Sequence, residues 1–311
     1  MKLKLGSKRY LTVGSLVEDA AFNAVKALIL VTMVLVTLYP FWNTVVVSFN
    51  RATDTIRGGV YLWPRIWTLA NYKAVWVTAN IPSALFISVS RALVSTVLNL
   101  FLTTMLAYAL ARREFVLRKP LTLIVVLSMY VNAGLFPNYF LIRGLHLNNS
   151  FWVYIIPSLI GAFNFIVIRT FIRTIPESIF ESARIDGTSE YSIFLRFVLP
   201  LSKPVLATVA LFVAVGAWNA WFDTVLYNSS KPELFTLQYQ LMALLQASLN
   251  QSKSAADVGA SGMASNIGAS IVSPLSIRSA ITIVAAVPIL MVYPFLQRYF
   301  VVGLNVGSIK E

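Results

Sequence analysis

From Ala24 to Val47 the chain carries one charged side chain, Lys26, in an otherwise largely apolar run. A hydrocarbon core about 30 Å thick needs about 20 helical residues to cross it. Inside lipid each unpaired peptide group is costly, so only helices and closed barrels can span. No ten-residue alternating pattern suggests a barrel. The expected fold is therefore all-α and integral to a membrane. Five more stretches meet the same length, at about 83–111, 121–142, 151–172, 204–227 and 279–302. Together they predict an N-terminal segment, 1–23, followed by a single six-span domain, 24–311.

Composition agrees with that reading. The chain is 58% hydrophobic and 12% charged, with a mean hydropathy of +0.74, against about 45–50% apolar and 25% charged for soluble domains. It has no cysteine, which removes disulfides, thiol nucleophiles and thiolate metal sites. His146 is its one histidine, which removes multi-histidine metal sites and most imidazole chemistry. The net charge of +13 is spread as short blocks beside the apolar spans, not along one soluble face, which argues against nucleic acid.

The blocks also orient the chain. With the basic start MKLKLGSKRY inside, the inner segments hold Lys2, Lys4, Lys8, Arg9, Lys26, Arg112, Arg113, Arg118, Lys119, then Arg169, Arg173, Arg184, Arg196 and Lys203 in and around a long insert, and Arg298 and Lys310 in the tail, twice as many as the outer ones. Both termini and the insert are then expected on the cytoplasmic side. The outer loops are 49–80, rich in Trp and Tyr, and 228–278. Within the latter, 247–270 is rich in Ala, Ser and Gly and is expected to be mobile or only partly ordered.

The insert, 174–204, is the polar anomaly. In TIPESIFESARIDG, Thr174 and Glu177 have capping-box spacing, with Pro176 in the first turn. Pro176, Ile179, Phe180 and Ala183 form one apolar stripe. Gly187 is a left-handed stop. Thr188 or Ser189 can cap a second short helix, striped by Tyr191, Phe194, Leu195 and Val198 and closed by Leu199-Pro200. Taken by itself this could be an interfacial joint between two spans.

The insert resembles the cytoplasmic E-A-A motif of permease subunits of bacterial ABC importers, with its D-G and later L-P pairs. Here these read ESARIDG and Leu199-Pro200, with Ser182 replacing an alanine. NYKAVW, LAYALAR, GAWNAWFD and YPFLQRYFVVGLNVGSIKE extend the resemblance over essentially the whole chain. They point to the carbohydrate-uptake branch, and within it to importers of oligosaccharides or modified, polysaccharide-derived sugars. The resemblance implies a non-catalytic subunit of the bacterial cell membrane. Its insert would dock on a cytoplasmic ATPase through Glu181, Ser182, Ala183, Asp186 and Gly187. The implied partners are a second permease, two ATPase copies and an extracellular sugar-binding protein. The chain has no G-x-x-x-x-G-K-[ST] loop, so ATP and Mg would sit on the ATPase, with no cofactor on this chain.

Two ionisable residues lie within spans, where charge is expensive. Arg91 either snorkels, pairs structurally with Asp223 or lines the transport path. Trp218, Asn219 and Trp221 could contact sugar or pack helices. Asn132 and Asn138 are further polar candidates, with Pro137 expected to kink the third span. The alternative function is an ion-coupled secondary transporter or channel working alone, for which only Asp223 could serve as a mid-membrane carboxylate.

Overall fold

In a computed structural model the described residues are 13–78, 80–131, 133–260 and 273–306, and they are helical without named strands. Asn132, the N-terminal Lys2, Lys4, Lys8 and Arg9, residues 261–272 and Lys310 lie outside them. Helix α1 covers Val13–Ser48. Two short helices follow, α2 (Ala52–Ile56) and α3 (Ala70–Thr78), then α4 (Ile81–Ala111). Next come α5 (Arg118–Leu127), α6 (Leu135–Gly144) and α7 (Ala162–Ile172). The insert holds α8 (Glu177–Ile185), α9 (Glu190–Ile193) and α10 (Leu199–Leu201). The chain ends with α11 (Lys203–Asn219), α12 (Phe222–Tyr227), α13 (Leu237–Ala260) and α14 (Pro274–Val306).

Among the described residues three helices are long and apolar enough to cross a membrane unaided, over Phe22–Ser48, Ile81–Ala111 and Pro274–Met291. Up to five qualify if two bent pairs each count as one span. The expected third span does not form as one helix. It is two ten-residue helices, α5 and α6, separated at 128–134. The interruption precedes Pro137, which sits harmlessly in the first turn of α6, where a proline lacks no needed donor. Gly134, at φ +84°, takes a backbone conformation that side chains with a Cβ resist. The fourth candidate bends by 49° between 151–158 and α7, and the fifth breaks at Ala220-Trp221.

The C-terminal end of α1 is held by a folded cap. Asn71 donates to the carbonyls of Ser48 and Asn50 at 2.8 and 3.0 Å, and the Tyr72 hydroxyl meets Ser48 Oγ at 2.7 Å. Asn71 and Tyr72 are the first two letters of NYKAVW. Tyr61, Trp63, Trp67 and Trp76 are exposed on this cap. Residues expected to be loop after 236 instead form α13, whose buried Leu237 and Leu241 pack beside α4 and α14. Alanine is the best helix former, so this run keeps a helix once one apolar face is anchored.

Helix α4 is the mast of the bundle, packed against α7, α11 and α13. Along it Ser88, Arg91, Ser95, Asn99 and Thr103 recur three or four residues apart and are all buried. This polar stripe meets the backbone groups freed by the breaks. Asn99 Nδ2 donates to the Ser158 carbonyl at 2.7 Å, and Thr103 Oγ1 to that of Leu159 at 3.4 Å, both at the bend before α7. Arg91 donates to the Ala220 carbonyl at 3.1 Å, at the break before α12. Ser88 Oγ accepts the Leu237 amide at 2.7 Å, at the start of α13.

Asn99→Leu should therefore leave the Ser158 carbonyl unpaired and destabilise the protein by about 1–3 kcal/mol. Thr96→Val loses only a bond within its own helix, to the Ala92 carbonyl, and should cost less. Thermal unfolding midpoints of the two variants in detergent check this ordering.

Candidate functional site

The insert folds by local rules, with two amendments. Helix α8 begins on Pro176 without a side-chain cap, so the capping box does not form. The Thr174 hydroxyl donates back to the Phe171 carbonyl at 2.7 Å and closes α7 instead. Glu177, the first residue of α8, is thereby left to reach Arg112 at 2.8 Å. The C-terminal stop forms as the sequence suggests. Gly187 takes φ +75°, the Thr188 amide reaches the Ala183 carbonyl at 3.0 Å and the Gly187 amide that of Arg184 at 2.9 Å. Ser189 caps α9, accepting from the Ser192 amide at 3.4 Å.

The second amendment concerns the stripe of the second helix. Phe194 and Val198 are buried as expected, but Tyr191 and Leu195 are exposed and Ile193 is buried in their stead. The cause is a single π-helical turn over Phe194–Val198, which slips the buried face by a residue. Pro200 follows it, and its ring cannot accept the ordinary helical register to Arg196. The helix nonetheless runs on through Leu199–Leu201 before an 80° bend into α11. Leu199-Pro200 thus shapes an elbow rather than ending the helix earlier. Leu199 packs inward on the apolar core, and Pro200 is exposed.

Of the expected docking residues, Glu181, Ser182, Asp186 and Gly187 share the exposed side of α8 and its turn. Ala183 does not join them. It is buried, with Phe180, against Tyr108, Phe194 and Ile172 in the protein's own core. Ile185 was not singled out by sequence and is 86% exposed beside Asp186. Its position off the stripe of Ile179, Phe180 and Ala183 was the available signal.

Beneath the insert lies an ionic cluster anchored on the C-terminal end of α4. Arg112 is buried, stacked 4.1 Å over the Phe180 ring and 4.6 Å over that of Tyr108. It pairs with Glu177 at 2.8 Å and Glu190 at 3.7 Å, and donates to the Tyr108 hydroxyl at 2.6 Å. That hydroxyl donates to Glu190 at 2.5 Å. Arg184 joins Glu190 at 2.8 Å to Glu114 at 3.1 Å. Tyr108 and Arg112 belong to LAYALAR.

Burial pushes the Glu190 carboxyl up, but the Tyr108 hydroxyl and the guanidinium groups of Arg184 and Arg112 outweigh it and hold it below the ordinary glutamate range. Glu114 is lowered first by its own backbone amide, then by Arg184. Carboxyls lowered by folding stabilise the fold fully above the unfolded pKa, about 4.3, and lose that contribution as pH falls through the lowered value. Intrinsic-rate-corrected amide exchange over 177–201 should be flat between about pH 6 and 8 and should accelerate only below about pH 4.

The span candidates divide into two places. Arg91, Asn138 and Asp223 line one cavity of about 470 Å³, together with Tyr154, Ser158 and Tyr227. Arg91 is buried and grips both oxygens of Asp223, one of them at 3.1 Å. Its guanidinium carbon lies 4.6 Å from the Tyr154 ring centre. The structural pairing expected for Arg91 is therefore present. Trp218 is turned away, buried among Val75, Leu237 and Ile281, with Nε1 donating to the Ala285 carbonyl at 3.4 Å. Asn219 and Trp221 line a separate cavity with Gln238 and Met242, and Asn219 accepts from Gln238 at 3.3 Å. Asn132 lies outside the described residues. Among the described residues no group of three potential metal ligands converges.

Asp223→Ala should destabilise by about 3–5 kcal/mol, because it strands a buried guanidinium. Arg91→Met combined with Asp223→Ala should be more stable than Asp223→Ala alone. Unfolding midpoints of the two decide it.

Comparison with known proteins adds a family. A model described as binding-protein-dependent transport system inner membrane component matches residues 27–306. The chain is similar to the polygalacturonan/rhamnogalacturonan transport system permease protein YtcP of Bacillus subtilis (strain 168). Identity is 34% over 284 residues, covering 90% of this chain and 95% of the relative. It is also similar to the arabinooligosaccharides transport system permease protein AraQ of Halalkalibacterium halodurans, at 28% identity over 88% of this chain and 92% of the relative. Among solved structures, it matches a chain from the crystal structure of a bacterial ABC transporter involved in the import of the acidic polysaccharide alginate. That match has a TM-score of 0.78 and 26% identity, and covers 94% of this chain and 100% of that one.

Proposed function

The chain belongs to the family of binding-protein-dependent transport system inner membrane components, and we propose that its insert is the part on which an importer's ATPase pushes. As a family member it is a non-catalytic permease subunit of an ABC importer, with ATP hydrolysis carried by a separate subunit. The finer reading is a six-span subunit with both termini cytoplasmic. It works beside a second permease and two ATPase copies and receives cargo from an extracellular binding protein. The cargo is an oligosaccharide or polysaccharide-derived sugar, in keeping with the relatives named for such sugars. ATP and Mg belong to the ATPase in this reading.

One observation carries it. The insert buries Phe180, Ala183, Ile193 and Phe194 against its own bundle while presenting Glu181, Ser182, Ile185 and Asp186 outward around a glycine turn. A joint between spans needs the buried face alone. An exposed isoleucine flanked by carboxylates fits a protein partner whose groove is apolar at its centre and basic at its rim. Leu199 and Pro200 set the elbow that passes the motion into α11.

The cavity at Arg91, Asp223 and Asn138 is the proposed place on the path where sugar hydroxyls meet polar groups, with Asn219 and Trp221 on a second surface. A solitary ion-coupled carrier is disfavoured by the same geometry, since Asp223 is committed to Arg91 and is not free to bind and release a coupling ion.

The chain has no cysteine, so Ser182→Cys introduces a single thiol. In the assembled importer that thiol should cross-link to the ATPase and react with an impermeant maleimide only from the cytoplasmic side. Labelling from outside, or no cross-link at any linker length, would refute the assignment.

A further inference from the structure

The insert is joined covalently to α7 before it and to α11 after it, but α4 is distant in sequence and is reached only through side chains. At that junction Arg112, the residue that follows α4, holds Glu177 and Glu190 together. Glu177 opens α8 and Glu190 opens α9, so one guanidinium ties down the first residue of each arm of the insert. The planar fork is braced by Phe180 on its face and by the Tyr108 hydroxyl, itself one helical turn back along α4. Apolar contacts between Phe194 and Phe101 or Tyr108 also cross this junction. Those contacts are non-directional and can slide. The two carboxylates fix direction.

We infer that Arg112 is a positioning residue that makes α4 move with the insert, so that force applied at α8 enters the mast directly. This rests on the reading that the insert meets an ATPase. The device extends inward from there. Arg112 anchors one end of α4, while Asn99, Arg91 and Ser88 hold the breaks of the neighbouring helices along its length. A displacement delivered at the inner end of α4 therefore reaches the cavity at Arg91 without passing through α11.

The test uses the complete importer in proteoliposomes and needs no cargo. Leu93 is 62% exposed on α4, and Leu93→Cys carries a nitroxide label. In the otherwise unchanged chain, trapping the ATPase with ATP and vanadate should change the label's mobility or its distance to a second label. In Arg112→Ala the vanadate trapping and the Ser182→Cys cross-link should persist, while the change at Leu93 is lost. Arg112→Lys should restore part of it, since an ammonium can hold one carboxylate but not both in a fork. A merely structural role would lower assembly and trapping together with the change at the label.

If Arg112→Ala does not assemble, Glu177→Gln with Glu190→Gln removes both charges at constant shape and should abolish the same change. Retention of the change at Leu93 in either variant overturns the inference, as does its absence in the parent chain. Absence of the Ser182→Cys cross-link in the parent instead removes the underlying docking reading, and the inference with it.

Discussion

A peptide group that leaves its helix at membrane depth must find another partner, because lipid offers none. This chain interrupts its helices at 128–134, 159–161 and 220–221, and the latter two gaps are closed by the polar stripe of α4. Asn99 and Thr103 serve the bend before α7, and Arg91 serves the break before α12. The charge on Arg91 is compensated in turn by Asp223. Without that compensation a guanidinium at this depth would be prohibitive, and without the guanidinium the Ala220 carbonyl would be orphaned. Cavity, break and ion pair are one arrangement.

The insert follows a different economy, set by local backbone rules. A left-handed glycine reverses the chain between two short helices, and a serine caps the second. The apolar side chains underneath settle which face turns in. The exposed face is left with carboxylates, a serine and an isoleucine, groups that the subunit itself does not use for folding. What holds the insert at a defined angle is the charged cluster below it, where Arg112 and Tyr108 at the end of one helix gather the starts of two others.

Much of this was legible in sequence wherever one local rule decides the outcome. Long apolar runs gave the helical membrane class, Gly187 gave the turn, and the apolar stripe through Phe180 and Ala183 followed from their spacing, although the family likeness had put Ala183 on the docking face. The misses occurred where a distant contact overrode the local preference. Thr174 and Glu177 have capping-box spacing, yet Arg112 claims the glutamate and the threonine closes α7. Tyr191 and Leu195 fit an ideal helix, but the π turn before Pro200 shifts the register. The Ala- and Ser-rich stretch 247–270 was expected to be mobile or only partly ordered; as far as Ala260 it continues a helix seated by Leu237 and Leu241, and the rest lies outside the described residues. Arg91 and Asp223 were found because charge is rare in apolar spans. Ser88, Asn99 and Thr103 carry no charge and were not singled out, although their three-and-four spacing along α4 was present to be read. Asn71 with Tyr72, and Tyr108 with Arg112, entered as fragments of family likeness. Their physical tasks are to close α1 and to seat the insert.

The stripe on α4 has a kinematic consequence. Its four bonds reach three places, the start of α13, the break before α12 and the bend before α7, while Leu93 and Val97 point to the opposite side and are exposed. Rolling the helix about its long axis would break all four bonds at once and would turn apolar side chains toward polar backbone. Tilting it, or sliding it together with its neighbours, breaks none of them. Helix α4 is thus free to rock with its neighbours and barred from swivelling against them.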